Sequence, residues 1–179
     1  MLKDGADPSR AINDIFVNGK KYATECATAI IIVYCKAFLE VFGKTLFNQQ
    51  FPRIYLKDWI SEPVMKDLII ERNVSEHLYG DGCYFKNPEY NPATSEWQGE
   101  NVIALPKGMF YGHGIGIESA NKIIHELNNR RKAGATISAF LENTVNRAYI
   151  SRLFGIYSRP DRGAASLVWK PFPPPISSM

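Results

Sequence analysis

TECATAIIIVYCKAFLEVFG, residues 24–43, decides how this sequence is to be read. Between Ala27 and Phe42 apolar side chains fall at nearly every azimuth of a helix, and a helix that is apolar all round is a buried one. Glu25, Lys36 and Glu40 interrupt the run, so the reading is a central core helix and not a membrane span. Thr24 is read as its N-cap and Gly43 as its stop.

Upstream, Asp7 reads as the N-cap of a short helix with Pro8 in the first turn, Ile12, Ile15 and Phe16 on one face, and Gly19 at the stop. Downstream the pattern changes to short β-type runs at 53–56, 83–85, 101–105 and 109–117, punctuated by Asp81-Gly82 and Pro106-Lys107-Gly108. The last two runs read as a hairpin. Helical spacing returns in Ala120, Ile123, Ile124 and Leu127, stopped at Gly134, and again in Ile137, Phe140, Leu141 and Val145. Helices and strands that segregate in this way predict an α+β domain, with the central helix packed on an antiparallel sheet.

The chain has 179 residues, 45% of them hydrophobic, enough for one substantial core. One domain over 1–159 is expected, followed by a flexible tail at 160–179 that carries Pro171, Pro173, Pro174 and Pro175 without periodicity. The 21 Lys and Arg are scattered among 18 Asp and Glu for a net charge of +3, which does not make the cationic stripe that nucleic acid requires. The N-terminus MLKDGADPSR is too polar for a secretory signal, and no segment reads as a membrane span, so a soluble chain without a membrane partner is expected. Cys26, Cys35 and Cys83 are odd in number and lack any Cys-x-x-Cys pairing, and no Asp-x-Asp-x-Asp-Gly loop occurs. Metal-independent chemistry without a cofactor follows as the expectation.

Cys26 is the candidate nucleophile. At the start of the buried helix it faces unpaired backbone N–H groups and the positive end of the helix dipole, both of which stabilise a thiolate. Cys35, half a helical circumference away, reads as a small core hydrophobe. A nucleophilic thiol needs a proton acceptor, for which Glu100 and His113 are the candidates. With the hairpin turn centred on Lys107 and Gly108, Leu105 falls opposite Phe110 and Val102 opposite His113, which puts Glu100 and His113 on one face. An acid and an imidazole on a sheet would then face a cysteine on a helix, as in papain-like hydrolases. Trp59, Tyr84 and Trp97 are candidates to line an apolar groove. Gly112-His113-Gly114-Ile115-Gly116 lacks the spacing of a dinucleotide fingerprint.

YATECATAIIIVY (22–34), CYFKNPEYNP (83–92), WQGENVIAL (97–105) and YGHGIGI (111–117) together resemble the spore-coat transglutaminases of bacilli, which are protein-glutamine gamma-glutamyltransferases. The likeness runs in order from about Pro8 to Ile156. It implies a fold related to the NlpC/P60 and papain-like group and calcium-independent formation of glutamyl-lysine isopeptide cross-links. It further implies Cys26 as nucleophile, Glu100 as its principal partner, Glu25 as an auxiliary acid and His113 near the catalytic centre. Trp59, Tyr84 and Trp97 match residues that line the substrate tunnel. Its partners would be proteins bearing Gln and Lys, with glutamine deamidation as the side reaction. Relative to the family pattern, the N-terminal portion is missing and the segment after 160 is extra, which also fits a toxin or effector domain accompanied by a delivery domain or an immunity protein. The rival readings are an NlpC/P60-type cysteine peptidase or amidase, which would rely on a Cys–His pair, and a noncatalytic interaction module.

Overall fold

The protein is described by a computed structural model that covers residues 5–56 and 63–158, so Trp59 and the expected tail lie outside the described residues. Helix α1 (Pro8–Val17) begins as its sequence predicts, with the Asp7 side chain accepting from the Arg10 N–H and Pro8 in the first turn. Helix α2 (Cys26–Gln50) follows, then α3 (Pro63–Leu68) and the strands β1 (Ile69–Asn73), β2 (Gly82–Lys86), β3 (Gly99–Leu105), β4 (Met109–Gly112) and β5 (Gly116–Ser119). The chain continues through α4 (Ala120–Asn128), β6 (Phe140–Leu141), β7 (Thr144–Ala148) and α5 (Ile150–Tyr157).

The α2 segment is the core helix that its apolar run predicts, with Ile30, Ile31, Tyr34, Cys35, Phe38 and Phe42 buried. Its ends differ from the expectation. Glu25, not Thr24, is the N-cap, which makes Cys26 the first helical residue. At the other end Gly43 takes φ 71° and ψ 165° and kinks the helix without ending it. Beyond that kink Leu46, Phe47 and Phe51 are again buried, so the apolar surface that drives the helix into the core continues past the glycine. At 25 residues α2 is, by length and composition alone, long and apolar enough to cross a membrane, contrary to the sequence reading. In this structure more than half of its most apolar window is buried against the rest of the protein.

The strands form one antiparallel sheet in the order β1-β7-β2-β3-β4-β5, with β6 paired to the end of β2. Alternation along β3 divides the core into two layers. Ile103 packs with α2, together with Met65, Leu68 and Ile156. Val102 and Ala104 pack on the opposite side with Cys83, Phe85, Phe110 and the α4 residues Ile123 and Leu127. The Tyr34 hydroxyl fastens α2 to the sheet, 2.7 Å from the Gly80 carbonyl oxygen and 2.9 Å from that of Asn146.

Several expected elements take another form. Residues 53–56 are not a strand. The hairpin exists, but Leu105 pairs with Met109 and Val102 with Gly112, one residue off the expected register, because Lys107 and Gly108 both take positive φ in a tighter turn. The second arm is itself split, since β4 turns back into β5 through residues 113–115. Helix α4 stops at Asn128, before Gly134. The helix read from Ile137 to Val145 is absent, and this segment supplies β6 and β7. Ile137 and Phe140 stay exposed while Val145 is buried between β1 and β2, so the 3.6-residue spacing there does not describe one buried face.

Candidate active site

The capping of α2 sets the site. Glu25 holds the helix start through its carboxylate, which accepts from the Ala27 N–H at 3.1 Å, the Thr28 N–H at 2.8 Å and the Thr28 hydroxyl at 2.6 Å. Cys26 therefore begins α2 half-buried, at a helix end whose dipole favours negative charge. Facing it is β3, where Asn101 points its carboxamide at the thiol, with Nδ2 donating to Cys26 Sγ at 3.3 Å.

Asn101 pairs with Tyr84 across β2 and β3, so both side chains share the face that looks toward α2. Glu100 pairs with Phe85 and projects from the other face. Both faces open into one cleft because the cleft lies at the beginning of β3, beyond the end of the β3–β4 ladder, whose last pair is Val102 and Gly112. It measures about 660 Å3, and its walls include Cys26, Tyr84, Trp97, Glu100, Asn101 and His113. The cleft thus brings together every candidate site residue that falls within the described part of the chain.

The Glu100 carboxyl is buried, and burial pushes its pKa up to about 7 against a downward pull from the His113 backbone N–H that it accepts. Its Oε1 has no hydrogen-bond partner among the described residues. A methyl group at position 112 would lie 2.9 Å from that oxygen, so a larger residue there would shift the carboxylate from its present position. His113 is on the β4–β5 turn and meets Glu100 through its main chain, which corrects the expected pairing of the two side chains on one face. Its residue nonetheless lines the cleft, and with Thr24 it also borders a second, apolar cavity of about 370 Å3 walled by Phe16, Tyr22, Ile32 and Tyr111.

Tyr84 packs its ring directly over Gly99, and its hydroxyl donates to the Gln98 carbonyl at 3.3 Å. Burial raises its pKa, with the charges of Cys26 and Glu142 adding to the effect. Trp97 carries the Arg130 guanidinium 3.6 Å from its ring centroid, a cation–π contact that leaves the indole as a fixed wall. The other two thiols are set apart. Cys35 is fully buried in the α2 layer, and the Cys83 thiol is pushed up to about 12 by burial and the nearby Asp81 charge. Among the described residues no group of three or more His, Cys, Asp or Glu side chains is placed to hold a metal ion.

A family model described as protein-glutamine gamma-glutamyltransferase matches residues 1–157. The chain belongs to this family. A protein-glutamine gamma-glutamyltransferase of Bacillus cereus (strain AH820) is 46% identical over 164 residues, covering 92% of this chain and 58% of the relative. One from Bacillus anthracis (strain CDC 684 / NRRL 3495) aligns with the same identity and coverage. The chain spans a little over half the length of the curated relatives it matches. The solved structure of a transglutaminase from Geobacillus stearothermophilus (without C-terminal extension) superposes with a TM-score of 0.81 at 48% identity, covering 88% of this chain and 74% of that one.

Asn101 is the site residue that the sequence reading missed. The signal was available in Gly99-Glu100-Asn101, because strand alternation must send Asn101 to the face opposite Glu100. Which of those two faces meets α2 is a tertiary fact.

Proposed function

We propose that this chain catalyses calcium-independent acyl transfer from the side chain of a protein-bound glutamine to a protein lysine. The observation that carries the reading is the juxtaposition, in one cleft, of a helix-initiating Cys26 contacted at its sulfur and a buried Glu100 whose pKa lies near neutrality. Membership of the gamma-glutamyltransferase family supports it.

In this mechanism Cys26 Sγ bonds to the carboxamide carbon of glutamine as the carbonyl electron pair moves onto oxygen. When that pair returns, the C–N bond breaks and the nitrogen leaves as ammonia, taking the proton that the Cys26 thiol gave up to Glu100, which yields a thioester and an ionised Glu100. The lysine ε-amine then attacks the thioester carbon, Glu100 accepts the proton released from nitrogen, and the C–S bond breaks to give the isopeptide. A carboxyl that titrates near the working pH suits this task, being a base strong enough to take the proton and ionised often enough to do so. Water in place of lysine gives glutamate. Tyr84 and Trp97 wall the cleft against water and pack on the methylene chains of the substrates. Glu25 supplies the cap that orients Cys26, alongside its expected part as auxiliary acid.

The test is incubation with a fluorescent primary amine and a glutamine-bearing protein, with and without EDTA. Covalent incorporation that is unaffected by EDTA is expected. Cleavage of peptide bonds without amine incorporation would favour the peptidase reading instead.

The fit of Glu100 against residue 112 gives a second expected outcome. Gly112→Ala adds a methyl where the Glu100 carboxylate now sits, and the backbone there, which is not in the positive-φ region, accepts alanine. Amine incorporation should fall by about 10- to 100-fold with an unchanged circular dichroism spectrum, because displacing a reacting group by an ångström costs about that much. Wild-type turnover in Gly112→Ala would show that the carboxylate need not occupy that position.

A further inference from the structure

We propose that Asn101 is a catalytic residue whose carboxamide N–H, together with the backbone N–H of Cys26, binds the oxyanion formed when Cys26 attacks. The inference deepens the acyl-transfer reading and rests on it for the choice of nucleophile.

Backbone N–H groups at a helix start are the expected oxyanion donors, but here most of them are already in use. The Ala27 and Thr28 N–H groups donate to the Glu25 carboxylate, and the Ala29 N–H donates to the Glu25 carbonyl. The Cys26 N–H has no acceptor among the described residues. One backbone donor is thus left at the nucleophile itself, and a second must come from a side chain. Glu100 is acceptor-only when ionised and cannot serve. Asn101 can, since its Nδ2 already touches the attacking atom at 3.3 Å.

The chemistry places the developing charge beside that donor. As the Sγ–C bond forms, the carbonyl π pair moves onto an oxygen bonded to the carbon that Sγ has just joined. That oxygen is two bonds from Sγ and arises in the cleft that Asn101 lines with Cys26, so a small rotation of the Asn101 amide transfers its N–H from sulfur to oxygen. When the pair returns and ammonia departs, the N–H returns to the thioester sulfur. The donor is held for this purpose. Asn101 lies in the middle of the β2–β3 ladder opposite Tyr84, and Ile103, two residues on along the same face, is anchored in the core under α2. Preorganised donors of this kind need no reorganisation at the moment of reaction.

Two reagents separate this role from a merely structural one. p-Nitrophenyl acetate acylates a cysteine through a tetrahedral oxyanion, whereas iodoacetamide alkylates it by displacement and forms none. Both rates are measured at their high-pH plateaus, with the Cys26→Ala background subtracted. The variants are Asn101→Leu, which keeps the size and removes the N–H, and Asn101→Ala in case leucine disturbs the fold. Acylation is expected to fall about 100-fold, while alkylation stays within about threefold of wild type. Acylation that falls less than about tenfold, or acylation and alkylation that fall in parallel, would overturn the assignment. Neither reagent is a glutamine or a lysine, so a failure here is distinct from a failure of amine incorporation by the wild-type protein, which would count against the transglutaminase reading alone.

Discussion

Cys26→Ala is expected to reduce incorporation of a primary amine into a glutamine-bearing protein to background, a fall on the order of 10⁵-fold or more. Removing the sulfur removes the atom that carries the acyl group, and nothing else in the cleft can replace it. Cys35→Ala and Cys83→Ala should retain turnover, because one thiol is fully buried on the core face of α2 and the other is held protonated by burial on the far side of the sheet. The substitution itself should be mild, since Cys26 is only half-buried and alanine is a good helix former at that position. Amine incorporation in a folded Cys26→Ala protein, followed by the rate of fluorescence gain, would end the covalent mechanism.

Glu100→Gln keeps the size of the side chain and removes its basicity, and should lower the rate of transfer to amine by about two to four orders of magnitude. The wild-type rate is expected to rise with pH through about 7 as the carboxyl ionises, and that limb should vanish in the variant. Stability provides a second readout with a definite sign. Burial raises the folded-state pKa from 4.5 to about 7, so between these values the folded protein holds a proton that the unfolded chain has released. Its contribution is complete below about pH 4.5 and is lost as the pH rises through 7. Relative to wild type, Glu100→Gln should therefore gain up to roughly 3 kcal/mol at pH 8, a gain that disappears toward pH 4.5. Denaturant melts at the two values measure it. If His113→Asn lost as much activity as expected for Glu100→Gln while Glu100→Gln lost little, the proton acceptor would be the imidazole.

The features legible in the sequence are those set by local chemistry. The apolar run after Cys26 reads as a core helix because charged residues interrupt it, and Asp7-Pro8 reads as a helix start. The run around Tyr84 and that of Val102 and Ile103 read as strands because β-branched and aromatic residues sit there between turn signals. Legibility failed where two local answers compete. Thr24 and Glu25 are adjacent and both can cap, and the choice of Glu25 moves every backbone donor at the helix start by one position. Lys107 in a left-handed conformation shortened the hairpin turn by one residue, which took His113 off the ladder. Around Val145 helical and strand periodicities coincide over a short window, and pairing with β1 and β2 decided the outcome. Asn101 escaped because sequence alternation separates it from Glu100 without saying which of the two meets α2.

Whether Cys26 carries the glutamyl group is read out by mass spectrometry. The protein is mixed with a glutamine peptide in the absence of amine, quenched in acid, and digested. An adduct equal to the peptide less ammonia is expected at Cys26, and it should disappear on addition of lysine as the isopeptide-linked product accumulates. An adduct located at Cys83 or Cys35, or isopeptide formed with no acyl group ever found on Cys26, would contradict a covalent role for Cys26.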